Sequence, residues 1–208
     1  MPRRLTTPTT ITAASISVDG DRPHVAAGRA VVALARCVAR TGALLARRRI
    51  VQPRRQVGRT LAFADGTHAR VYRETLIRDA PSDDPVVLGV TFRLRHVHGR
   101  GHALFRFESE LNTVLFAGFP GLVSKLWLAH DDTEAYRGVY QWDGADRAHD
   151  YAQTLWWVLS LVSEPGSIHY VVVPGARLAD VLAAPGSLSV DPGFDRAWWR
   201  LVEPSSPA

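Results

Sequence analysis

The chain has 208 residues, 46% of them apolar, which suits one domain with an extension or two very small domains and excludes disorder throughout. A single cysteine, Cys37, excludes an internal disulfide and zinc sites built on four cysteines or on two cysteines and two histidines, and fits an intracellular, cytoplasmic protein. The net charge of +5 invites a nucleic-acid partner, but Lys125 is the only lysine and arginine dominates as in a GC-rich genome, so no nucleic acid is expected from charge alone.

Charge is polarised along the chain. Residues 1–80 hold 15 Arg against five acids, whereas residues 81–208 hold nine Arg and Lys125 against 15 acids. The basic part is therefore expected to lie against the acidic part, within one chain or across a dimer.

Residues 1–22, rich in Thr, Pro and Ser, read as a flexible arm; Leu5 to Ser17 lacks the continuous apolar run of a signal peptide. Val25 to Arg49 reads as an amphipathic helix with Val31, Leu34, Val38 and Leu45 on one side and Arg29, Arg36, Arg40 and Arg47 as a polar stripe. Two uses of that helix stay open: attachment to an anionic membrane surface or nucleic acid, and packing on its own protein. Ala30 to Ala46 carries Arg36 and Arg40 and falls short of the roughly 20 apolar residues of a spanning helix, so no membrane insertion is expected. Thr60 to Thr75 reads as a β-hairpin with a primed turn at Asp65-Gly66, and Asp79 to Pro85 as a linker. Residues 23–80 are thus expected to form a helix and hairpin extension.

Beyond the linker, Val86 to His96 reads as a strand and His102 to Phe116 as a helix. Leu122 to Ala129 and Tyr136 to Trp142 read as strands joined by a turn at Asp131 to Glu134, followed by a helix from Ala145 to Ser163 and a strand from Ile168 to Val173. That order, β-α-β-β-α-β, predicts a ferredoxin-like α+β sandwich over residues 86–175, with two helices on one face of a four-stranded antiparallel sheet. The other face is expected to be bare and to pair with a second copy, enclosing a cavity. Residues 176–202, with Trp198 and Trp199, read as a C-terminal clasp, and 203–208 as a disordered tail. Trp157, Val158 and Leu161 form a second apolar side of the later helix that another segment should cover.

The runs Pro120-Gly-Leu-Val-Ser-Lys-Leu-Trp-Leu128 and Arg137-Gly-Val-Tyr-Gln-Trp-Asp143, followed by a helix containing Tyr151-Ala152, resemble the small dimeric α/β-barrel proteins of the YdhR mono-oxygenase-like type. The resemblance covers roughly residues 86–175. It implies a ferredoxin-like protomer, a homodimer and a pocket between sheet and helices. The superfamily includes cofactor-free oxygenases and cyclases of aromatic polyketides, haem-degrading enzymes, and proteins without an assigned activity.

Several residues carry chemistry. His96-Val-His-Gly-Arg-Gly-His102 contains an H-x-H pair suited to a metal, but Arg100 opposes a divalent cation and no carboxylate pair follows, so no metal is expected. Gly99-Arg100-Gly101 before a helix offers N–H groups and a guanidinium to an anion, or simply turns the chain; Arg100 and His102 are the candidates for a substrate carboxylate or phosphate. In alternation, Lys125 and Trp127 oppose Leu122, Leu126 and Leu128, and with the leucines on the helices Lys125 and Trp127 face the cavity. There a desolvated amine acts as acid, base or charge stabiliser, unless it is a rim lysine snorkelling to water. Tyr140 and Trp142 share a face and offer an aromatic wall or belong to the core, and His169 is a candidate for proton transfer or a hydrogen-bonded structural histidine. Serine-hydrolase, P-loop and dinucleotide-binding motifs are absent. His149 in the first turn of its helix speaks against haem degradation.

The expected function is that of a cofactor-independent mono-oxygenase or cyclase-like enzyme acting on a hydrophobic, aromatic small molecule. Lys125 would be the cation, His169 the base, Tyr140 a supporting hydroxyl, and Trp127 and Trp142 substrate-binding walls. The rival class is a non-catalytic dimeric ligand-binding or scaffolding protein whose Arg-rich helix contacts an anionic partner.

Overall fold

Apolar residues at alternate positions from Thr60 to Arg93, and again from Leu122 to Asp143, give strands that pair into one curled antiparallel sheet. The computed structural model describes residues 25–95, 116–188 and 197–203, and the backbone course of 17–19. The strands are β1 (Ser17–Asp19), β2 (Ile50–Val51), β3 (Thr60–Phe63), β4 (His68–Ile77), β5 (Pro85–Arg93), β6 (Leu122–Leu128), β7 (Ala135–Asp143), β8 (His169–Pro174) and β9 (Leu201–Val202); the helices are α1 (Ala27–Ala46), α2 (Ala145–Ser160) and α3 (Leu178–Ala183). The sheet order is β1-β8-β5-β7-β6-β4-β3-β9, with β2 also on β4. Its centre, β8-β5-β7-β6, has the antiparallel strand order of a ferredoxin-like fold, and α2 makes the crossover from β7 to β8. Apart from Phe116, the helix expected at His102 to Phe116 lies outside the described residues, as do nearly all of the arm at 1–22 and all but Glu203 of the tail at 203–208. Among the described residues no helix is long and apolar enough to cross a membrane.

The extension is built into this sheet. β4 pairs with β6 over Arg73↔Trp127 and Thr75↔Lys125, and β3 pairs with β9 at Ala62↔Val202. The hairpin turn departs from the primed geometry: of Asp65 and Gly66 only Gly66 has positive φ, +87°, and Gly66 N–H donates to Phe63 O while Phe63 N–H donates to Thr67 O. The Asp65 carboxylate accepts from Thr67 N–H at 3.0 Å and from its hydroxyl at 2.6 Å, which leaves Asp65 right-handed and glycine the one residue that must turn left.

Each face of the sheet has its own core. On one, Val86, Leu88, Tyr140, Trp142 and Tyr170 pack under α1 and α2. The other was expected to be bare and is not: Val87, Leu126, Leu128, Val139, Val171 and Val173 pack beneath the β3 hairpin, α3 and Trp199. The physical ground for pairing two copies through this face, an uncovered apolar surface, is therefore absent, because the chain covers it with segments from both ends. The tip of the hairpin is fixed by Arg137, buried on this side, whose guanidinium bonds Asp131 and, at 3.1 Å, Asp65, and lies 4.6 Å from the Phe63 ring centroid. This ion pair crosses from the basic to the acidic part of the chain with the sense opposite to that expected, the acid coming from the N-terminal part. Burial would raise the Asp131 carboxyl, but hydrogen bonds from Thr133, Arg137 and Ala135 N–H outweigh it and hold it below its ordinary value.

α1 packs on α2, and Trp157 Nε1–H donates to Val25 O at 2.8 Å, so the start of the N-terminal helix covers Trp157 as expected, while Leu161 stays exposed. The inward face of α1 differs from the one its valines suggest. Ala30, Cys37, Thr41 and Leu44 are buried with Leu34 half-buried beside them, whereas Val31, Val38 and Leu45 face outward at 65%, 40% and 49% exposure. The cause is close backbone approach, which selects small side chains. A Cβ placed on Gly118 would lie 2.1 Å from Cys37 O and 2.7 Å from Thr41 N, and neither backbone atom can yield alone. Gly118→Ala is therefore expected to push α1 off the loop, costing about 2 kcal/mol of stability and lowering Tm by roughly 4–8 °C in a thermal melt; an unchanged Tm would contradict this docking.

Candidate functional site

β4, β6 and β7 lie side by side and send alternate residues toward the helices: Arg73 and Thr75, Lys125 and Trp127, and Gly138 and Tyr140. A bulge on β6 between Leu122 and Ser124 breaks its alternation, so that Leu122 joins Trp142 and Tyr140 on the helix side while Leu126 and Leu128 face the other core. This reverses the expected arrangement, in which the leucines met the helices. With both sheet faces covered, a leucine row is needed beneath the C-terminal segments too, and Lys125 and Trp127 sit under α2.

The Lys125 amine is enclosed by rings. Its Nζ lies 3.1 Å from the Trp127 centroid, 4.7 Å from Tyr140 and 5.6 Å from Phe116, and no carboxylate or hydrogen-bond acceptor meets it among the described residues. Arg73 holds its Cζ 3.8 Å from the same Trp127 ring, whose Nε1–H donates to Thr75 Oγ1 at 3.1 Å. Burial first, and the Arg73 charge second, push the Lys125 pKa well below the ordinary 10.5 and favour the neutral amine. The attraction of the three rings for a cation works against this shift.

Beside the amine stand two phenols. Tyr151 Oη donates to Tyr140 Oη at 3.3 Å, and burial raises both pKa values, so both remain protonated donors. The Tyr140 ring occupies the space above Gly138, where a Cβ would fall 2.7 Å from it. Leu155 and Leu159 of α2 close the top, and the half-buried Tyr72 and Phe92 form the rim. The enclosed space is about 50 Å³, enough for one or two waters at roughly 30 Å³ each. An aromatic box holding a basic amine and a phenol can remove a proton from a weak acid and hold the resulting anion among rings.

The structure thus brings together Lys125, Trp127 and Tyr140 of the expected residues. Trp142 shares their face but is fully buried against Tyr151, 4.8 Å between centroids, and belongs to the core rather than to the wall. His169 is on the opposite face with Val171 and Val173, partly exposed, and takes no part in the cavity. The alternation along β8 was read correctly, but that face looks toward the C-terminal cover. Arg100 and His102 lie outside the described residues, as does the rest of the histidine cluster. Among the described residues no three His, Cys, Asp or Glu side chains converge in a metal-binding group. Arg73 and Tyr151 adjoin the cavity from behind Trp127 and Tyr140: the first was hidden because nothing local shows that β4 pairs with β6, and the second was read as one of a helix's apolar stripe.

No protein-family model and no curated protein sequence matches the chain. Three solved structures are similar to it. They are a ferredoxin-fold protein related to antibiotic biosynthesis mono-oxygenases from Listeria monocytogenes (18% identity, TM-score 0.40, 54% of this chain and 67% of that one), a mono-oxygenase-like protein from Listeria innocua (17%, 0.38, 54% and 67%) and a haem-degrading enzyme from Listeria monocytogenes (16%, 0.35, 52% and 71%). Likeness at these values says nothing of activity.

Proposed function

We propose that the chain is a cofactor-independent oxygenase or cyclase-like enzyme that deprotonates a hydrophobic, aromatic small molecule in the cavity around Lys125. The observation that supports it most is the buried amine beside Tyr140, which meets no carboxylate among the described residues, a costly arrangement in a core that an apolar residue would fill more cheaply. Neutral Lys125 takes the proton of a phenol or enol, a role that passes to it because His169 is out of reach. The ammonium so formed then holds the anion, while Phe116, Trp127 and Tyr140 exclude water. In the oxygenase form the delocalised anion gives one electron to dioxygen and the radical pair combines. The hydroperoxide loses water, so that CH2 and O2 become C=O and H2O. Because the cavity lies under α2, on the face that this chain's own helices cover, the homodimer that the resemblance implies is not a condition of the chemistry. A single ring needs a cavity of about 150 Å³ by the benzene standard, so entry requires the rim side chains Tyr72 and Phe92 to swing outward.

Oxygen uptake by the metal-free, flavin-free protein, measured across dihydroxynaphthalenes and anthrones with products identified by mass, tests this. Turnover well above buffer with at least one of them is expected, and Tyr140→Phe, which removes one hydrogen-bond donor to the anion, should lower kcat about tenfold. A protein that binds such compounds stoichiometrically and turns over none of them would support the non-catalytic ligand-binding reading instead.

A further inference from the structure

A far larger cavity, about 530 Å³, lies between α1 and α2, on the other side of the Phe116 to Pro120 loop from the Lys125 site. One wall is the flank of α1 that carries Arg29, Arg36 and Arg40, residues that steps of seven and four bring to one line along the helix. The opposite wall is α2, with Arg147, held at 2.8 Å by Asp143, and Asp150. Ala33, Cys37 and Phe119 make the floor. Four guanidiniums thus surround an apolar floor in the company of one carboxylate, Asp150. Arg29, Arg36 and Arg40 make no side-chain hydrogen bond or ion pair among the described residues. α1 contains no acid anywhere, although like charges four apart, as at Arg36 and Arg40, weaken a helix.

A cationic rim over an apolar floor recognises a molecule that is charged at one end and apolar at the other. We infer that this groove binds a single amphiphilic anion, with its carboxylate or phosphomonoester head at Arg36 and Arg40 and its apolar chain or ring on Ala33, Cys37 and Phe119. A lipid surface fits less well. Arg29, Arg36 and Arg40 face the groove between the two helices, and the exposed Val31, Val38 and Leu45 stand about half a turn away on the other side of α1, so one flat surface cannot meet the arginines and the valines together. The volume falls within the range of about 300–1,000 Å³ that small-molecule sites occupy.

Calorimetry on the full chain with monomeric decyl phosphate, inorganic phosphate, decanol and phosphatidylglycerol vesicles separates the possible sources. Decyl phosphate is expected to bind one to one and at least about thirtyfold more tightly than inorganic phosphate or decanol. Arg36→Ala with Arg40→Ala, both on exposed positions, should weaken it at least about tenfold, and Asp150→Asn, which removes the one carboxylate in the groove, should tighten it. Lys125→Met should leave it unchanged, so the groove stands or falls separately from the proposed catalytic cavity. Saturable binding to vesicles alone, equal affinity for decanol, or an arginine double variant that binds like the parent would each overturn the assignment.

Discussion

A chain lacking residues 1–80 is expected to be insoluble, or to melt without a cooperative transition. The deletion removes α1 from one sheet face and Leu61, Phe63, Ala69 and Val71 from the other, and it leaves β6 as a bare edge where β4 had paired. Leu44, Leu61, Phe63, Val71 and Ile77 alone are five buried side chains at about 1.5–3 kcal/mol each, which is comparable with the roughly 5–15 kcal/mol of a whole domain. The unpaired N–H and C=O groups of β6 would then offer a template for another chain. Polarised charge contributes little beside this, since exposed ion pairs are worth about 0–1 kcal/mol, so 0.5 M salt should hardly move the Tm of the intact protein. Solubility, near-ultraviolet circular dichroism and a thermal melt decide the matter: a truncated chain that stays soluble and unfolds cooperatively would show that the helix and hairpin are a dispensable attachment.

Lys125→Met is expected to separate stability from activity. The methionine is close in length to the lysine stem and satisfies the aromatic box without a charge to desolvate, so the variant should be more stable at neutral pH by about 1–3 kcal/mol. Its turnover should fall by about 10²–10⁴, the range of a lost general base. The two changes share a pH dependence. The Lys125 pKa is lower in the folded chain than in the unfolded one, so between those two values the unfolded chain binds more protons, and the penalty of burying the amine shrinks as pH rises. The stability advantage of the variant should therefore be complete below the folded pKa and vanish as pH passes the unfolded value near 10.4. The comparison must be between variant and parent, because Tyr140, Tyr151 and Cys37, all raised by burial, make any version of the fold less stable in alkali. A variant with unchanged stability would mean that the amine reaches water, and one with unchanged turnover would remove Lys125 from the chemistry.

Element order was legible from periodicity because each strand and helix carries its own pattern; β5, β6, β7, α2 and β8 begin and end within a few residues of where alternation and helical spacing place them. Which face looks where was not legible. Alternation divides Lys125 from Leu126 and His169 from Tyr170, but it cannot tell which set meets the helices when both faces are covered, and the bulge after Leu122 shifts the count at the start of β6. The inward side of α1 was misread for a related reason. Apolar size predicts burial when side chains fill the gap between elements, and here a glycine loop fills it, so that Cys37 and Thr41 go inside and Val31 goes out. Lys125, Trp127 and Tyr140 could be grouped from the sequence because a lone lysine among aromatics is chemically conspicuous, whereas Arg73 reaches Trp127 only through a strand pairing that spans some fifty residues.

The pairing of β3 with β9 sets a constraint on how the chain is made. Ala62 meets Val202 and Phe63 meets Leu201, so the hairpin that closes one edge of the sheet is synthesised well before the segment that pairs with it. Until then Leu61, Phe63 and Val71 have no lid of α3 and Trp199 above them. Such long-range closure is slow relative to local contacts, and the nascent chain carries an adhesive hairpin throughout the synthesis of the intervening segment. The completed edge, by contrast, ends in a strand of two residues, Leu201–Val202, too short to recruit another molecule. The fold is thus vulnerable to self-association while it is being made and protected against it once Leu201 and Val202 are in place.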